Sequence, residues 1–70
     1  MQDKRTMTLN LSAPEMDALD RLSDARGVSK TAVLKQALRL FERVTDRIEA
    51  GDKVFLEHPS TKEKAELLVL

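Results

Sequence analysis

The sequence predicts a mainly α-helical domain that opens with one N-terminal β-strand, closes with a C-terminal β-hairpin extension and takes a second copy of itself as partner. Three observations lead there. Polar and apolar residues alternate from Thr6 to Ser12, and two stretches with helical spacing follow, each introduced by a serine suited to cap it. The whole chain has 70 residues and no cysteine, so a single copy has too little interior, and no disulfide, to hold it together.

The composition narrows the options further. With 41% hydrophobic and 34% charged residues the chain is globular, yet Phe41 and Phe55 are its only aromatic residues, so the core is aliphatic. A lone His58 cannot build a histidine or cysteine zinc site, and oligomerisation remains as the stabilising route. The N-terminus lacks the apolar run of a signal peptide, and no apolar run approaches the roughly 20 residues of a membrane helix. A cytoplasmic protein with no membrane partner is expected. Twelve basic and twelve acidic residues cancel, so any affinity for nucleic acid must come from local geometry and not from net charge.

In the first element, Lys4 to Ser12, the residues Thr6, Thr8, Asn10 and Ser12 are polar while Met7, Leu9 and Leu11 are apolar, the two faces of a half-buried strand. Ser12 and Glu15 then have the spacing of a capping box, and Pro14 is tolerated in a first turn whose amides have no intrahelical partner. Met16, Leu19 and Leu22 recur at helical spacing, and Gly27 suits the left-handed residue after the last turn, so a helix is expected over 13–26.

Ser29 caps a second helix, with Val28 before the cap able to staple onto Val33. Val33, Ala37, Leu40, Phe41, Val44 and Ile48 form its apolar stripe, widened by Leu34 and Leu38 beyond what one short helix covers. The helix is expected to run from about 30 to 50 and stop at Gly51. Lys35, Arg39, Arg43 and Arg47 lie four apart, but Glu42, Asp46 and Glu49 run beside them, with Arg39–Glu42 and Arg43–Asp46 spaced as ion pairs. That face reads as solvated and self-compensated. Beyond Gly51, Lys53–Glu57 and Ala65–Leu70 read as the strands of a hairpin, joined by a loop in which His58 is a surface residue.

A lone strand cannot satisfy its own backbone. Two copies pairing their N-terminal strands antiparallel across a two-fold axis would do so, with the broad apolar faces of the second helices in the same interface; the C-terminal hairpin is the competing strand partner within one chain. In the dimer, Met7, Leu9 and Leu11 face inward and Thr6, Thr8 and Asn10 outward on a two-stranded ribbon, which fits the major groove of DNA. Asn suits adenine, and Thr suits base edges or the thymine methyl.

The run Arg5-Thr6-Met7-Thr8-Leu9-Asn10-Leu11-Ser12, the helix carrying Leu19 and Leu22, and Gly27-Val28-Ser29-Lys30-Thr31-Ala32 together resemble the ribbon-helix-helix family that includes MetJ, Arc and CopG, over about residues 4 to 48. The resemblance implies an intertwined homodimer whose intermolecular antiparallel ribbon enters the major groove of double-stranded operator DNA, acting as a repressor. It places base reading on Thr6, Thr8 and Asn10, and a phosphate clamp on Val28, Ser29 and Lys30, with side chains of Lys30 and Thr31 adding to it. Lys4 and Arg5 supply the basic groups at the ribbon's edge, whereas its central outward positions are uncharged.

Residues 1–50 are thus expected to form the DNA-binding domain and 51–70 an extension that the family motif does not need. A rival reading makes the chain an antitoxin, its C-terminal segment binding a toxin or other protein. No nucleophile–base pair, phosphate-binding glycine loop or metal spacing is present in the sequence, so neither an enzyme nor a cofactor is expected.

Overall fold

The computed structural model describes residues 4–67. In chain order these form α1 (Ala13–Arg26), α2 (Lys30–Glu49), β1 (Phe55–Glu57) and β2 (Lys64–Glu66), a mostly helical chain with one small antiparallel sheet. They divide between Leu34 and Lys35 into two compact units.

In the first unit, residues 4–12, expected as a strand, form no hydrogen-bonded strand among the described residues, which hold no ladder partner for them. The chain enters α1 through the expected capping box: the Ser12 amide donates to Glu15 Oε1 at 2.8 Å, and the Glu15 amide donates to Ser12 Oγ at 3.3 Å. Gly27 ends the helix at φ 65°, its amide and that of Val28 closing onto the carbonyls of Asp24 and Ser23. This left-handed turn, which disfavours any residue with a Cβ, lets α2 begin three residues later. Ser29 caps α2 through its Oγ, which accepts the Ala32 amide at 3.1 Å. Leu19 and Val33 are the buried hydrophobic residues among those described.

In the second unit, α2 stops by the same geometry: Gly51 sits at φ 97°, its amide reaching the Ile48 carbonyl while the Asp52 amide reaches that of Arg47. The Asp52 carboxylate also accepts the Arg47 Nε–H.

The sheet pairs Phe55 with Glu66, Leu56 with Ala65 and Glu57 with Lys64. Its first strand is shorter than the sequence pattern suggests. Lys53 lies outside β1, because the helix-terminating turn uses the residues just before it, although the Leu67 amide still reaches the Val54 carbonyl at 2.7 Å. β2 begins one residue early, at Lys64, and ends at Glu66; the Leu68–Leu70 part of the expected strand lies outside the described residues.

The connection is a folded turn and not an open loop. His58 and Glu63 are bridged by a 2.8 Å bond from the His58 amide, and His58 Nδ1 accepts the amides of Ser60 and Thr61. His58 is a surface residue of the connection, as expected, and its side chain also organises the turn, which needs the ring tautomer protonated at Nε2.

Candidate nucleic-acid interface

Thr6, Thr8 and Asn10 are all exposed, and no side-chain hydrogen bond ties them down among the described residues. The same holds for the backbone: no amide or carbonyl from Lys4 to Asn10 has a partner there. Met7 is 80% and Leu9 49% exposed, so this part of the apolar row is also uncovered, while Leu11 at its end is half-buried. A segment with free ladder groups and a free greasy face has the requirements of a strand awaiting a partner.

The start of α2 is the second feature. Val28 is not available as a donor there, since its amide closes the α1 turn onto Ser23 and its carbonyl accepts the Ser23 hydroxyl. The Ser29 hydroxyl and carbonyl take the amides of Ala32 and Val33. This leaves the amides of Ser29, Lys30 and Thr31 without a partner among the described residues. The first turn of α2 carries no acidic residue, whereas the first turn of α1 is occupied by the Glu15 carboxylate. Free amides at the positive end of a helix dipole suit an anion.

Electrostatics separate the two helix starts further. The Ser12 backbone amide, and then its hydroxyl, hold the Glu15 carboxyl below its ordinary range. Lys30 Nζ lies 2.8 Å from Asp20 Oδ1, an oxygen closed off from solvent with no other polar partner among the described residues. The hydrogen bond to Asp20, then its charge and that of Asp24, push the Lys30 ammonium above its ordinary value. Lys30 is therefore held by α1, a restraint the sequence pattern does not reveal, because the two residues sit on different helices with no shared periodicity.

The first unit holds all the expected site residues: Lys4, Arg5, Thr6, Thr8 and Asn10 in the N-terminal segment, and Val28, Ser29, Lys30 and Thr31 at the turn into α2. Along α2 neither Arg39–Glu42 nor Arg43–Asp46 forms an ion pair among the described residues; Arg47 pairs with Asp52 instead. Holding two long exposed side chains in one geometry costs entropy that a solvent-screened attraction barely offsets, so pairs allowed by spacing need not form. Among the described residues no group of acidic, histidine or cysteine side chains could hold a metal ion. Among the described residues no helix is long and apolar enough to cross a membrane.

An extended N-terminal segment with unpaired backbone groups, two helices joined through a glycine turn, and free amides opening the second helix are the parts the first unit brings together among the described residues. The model of the ribbon-helix-helix proteins of the copG family matches residues 5–43, more than half of the chain, which therefore belongs to that family. In general its members are DNA-binding transcription regulators or antitoxins, and they bind DNA as dimers. No curated protein and no solved structure matches the chain.

Proposed function

We propose that the chain is a sequence-specific DNA-binding transcriptional regulator, a repressor, that acts as a homodimer. The N-terminal segments of two copies pair as an antiparallel ribbon in the major groove of an operator, where Thr6, Thr8 and Asn10 read base edges. Lys4, Arg5, the amides at Ser29 to Thr31 and the Lys30 and Thr31 side chains hold the flanking phosphates. Residues 1–50 are the DNA-binding domain and 51–70 the extension; the protein works in the cytoplasm, on the nucleoid, without enzymatic activity or a cofactor.

The observation that carries this reading is the uncovered segment from Arg5 to Asn10, with free backbone groups and with Met7 and Leu9 exposed, inside the stretch matched by the family. Burying that row and filling that ladder against a second copy turns the polar row outward as a ribbon. The extension offers one observation for a further partner: Phe55 is 51% and Leu56 63% exposed. The second reading is an antitoxin whose C-terminal segment binds a toxin or another protein through these residues, but a segment already folded as a hairpin in the free chain fits docking on its own dimer better than folding on a toxin.

The test is a gel-shift titration of the protein against its own upstream promoter and a shuffled control, at two salt concentrations. Preferential, salt-sensitive binding to the promoter supports the regulator. Equal binding to both DNAs, or none, moves the function to the extension and a protein partner.

A further inference from the structure

The side chain that faces Lys30 comes from the opposite helix and is an acid. Asp20, on α1, holds Lys30 Nζ at 2.8 Å beside the first turn of α2, where the amides of Ser29, Lys30 and Thr31 are free. Both partners are about half exposed, so the pair lies within reach of a solvent-borne anion. With Lys30 in place Asp20 Oδ1 is closed off from solvent and has no other polar partner among the described residues, so the ammonium is the group that neutralises it in the free protein. Asp24 adds to the same negative field.

We infer that Asp20 is an internal counter-ion that occupies Lys30 in the free protein, and that a DNA phosphate must displace it, so that Asp20 positions Lys30 and lowers affinity for DNA of any sequence. This rests on the phosphate-binding reading of the start of α2.

The physical reasoning is an exchange. An unpaired lysine that binds a phosphate releases counterions held by the DNA, and each phosphate so neutralised steepens the dependence of log affinity on log salt by about 0.9. A lysine already neutralised by a carboxylate gives less, since the abandoned carboxylate recruits a cation from solution. In a chain with twelve basic and twelve acidic residues, non-specific binding rests on few local groups. Restraining one of them weakens attachment to random DNA while the base-reading residues remain free.

The experiment compares the full-length protein with Asp20→Asn, Lys30→Ala and the double variant, each checked for an unchanged circular-dichroism melt. Binding to a promoter fragment and to a shuffled duplex is titrated over a range of salt. Asp20→Asn is near-isosteric and removes the charge. It is expected to tighten binding to both duplexes about two- to five-fold, the size of a surface ion pair, and to steepen the salt slope by up to about 0.9. The steepening must vanish in the Lys30→Ala background. An unchanged slope for Asp20→Asn, where Lys30→Ala alone still weakens binding, overturns the counter-ion role and leaves the phosphate reading intact. Equal steepening with and without Lys30 also overturns it, as a general charge effect. If Lys30→Ala changes binding in neither background, the phosphate contact of Lys30 fails and the counter-ion role with it.

Discussion

Truncating Phe41 on α2 tests whether the uncovered helix face is an interface. In a single chain Phe41 is 50% exposed. A phenylalanine can remove roughly 200 Å² from water, so about 100 Å² remains for a partner to cover. At about 25 cal/mol per Å² that area is worth roughly 2.5 kcal/mol, and somewhat less, about 2 kcal/mol, once the retained Cβ of alanine is allowed for. A two-fold interface contains the residue twice, so Phe41→Ala should cost about 4 kcal/mol of dimer and raise the dissociation constant roughly a thousand-fold. Sedimentation equilibrium over a concentration series measures it directly. Phe41→Leu, which keeps most of the apolar area, should lose far less. A wild-type chain that sediments as a monomer at every concentration, or a Phe41→Ala dimer as tight as wild type, would refute the reasoning.

Removing the α1 cap with Ser12→Ala should cost about 1 kcal/mol, lowering the melting temperature by about 4–8 °C in thermal denaturation at fixed concentration. Because the Glu15 carboxyl titrates below its ordinary value in the folded chain, its stabilising share is present above its unfolded pKa and is lost as pH falls through the folded one. An acid series of melts should therefore show a shallower decline for Glu15→Gln than for wild type; parallel curves would remove Glu15 from the cap. Gly27→Ala meets no atom within 4 Å of the added Cβ, so its cost is that of a left-handed backbone, about 1–2 kcal/mol, while Gly27→Asn should recover part of it in urea melts. Asn10→Ala should lose about 1–3 kcal/mol of discrimination at one base pair with little change on random DNA, measured by competition with single-base operator variants. Equal losses on specific and random DNA would take base reading away from Asn10.

Local rules made much of the fold legible. Ser12 with Glu15, Gly27, Ser29 and Gly51 set the helix boundaries because capping and left-handed termination depend on neighbours a few residues apart, and the structure places α1 and α2 within a residue of where those signals put them. Alternation places Thr6, Thr8 and Asn10 on one face of the expected strand, but residues 4–12 form no hydrogen-bonded strand within the described chain, since a strand needs a ladder partner that local pattern cannot supply. What depends on approach between distant segments was not legible. The Asp20–Lys30 pair joins two helices, and the commitment of the Val28 amide to Ser23 moves the free donors on to Ser29, Lys30 and Thr31. The imidazole acceptor of His58 emerges only when the turn closes around it. Charge spacing misled in the other direction: Arg39–Glu42 and Arg43–Asp46 satisfy the helix rule, yet Arg47 finds Asp52 beyond the helix end.

Groove reading by the N-terminal ribbon can be measured atom by atom. An operator in which each thymine is replaced by uracil, and each purine by its 7-deaza analogue, one position at a time, alters major-groove groups only. The ribbon predicts a short symmetric cluster of positions where binding weakens by about 1–3 kcal/mol, with some of that sensitivity abolished in Asn10→Ala or Thr8→Ala. Tight, sequence-specific binding that ignores every one of these replacements would contradict it.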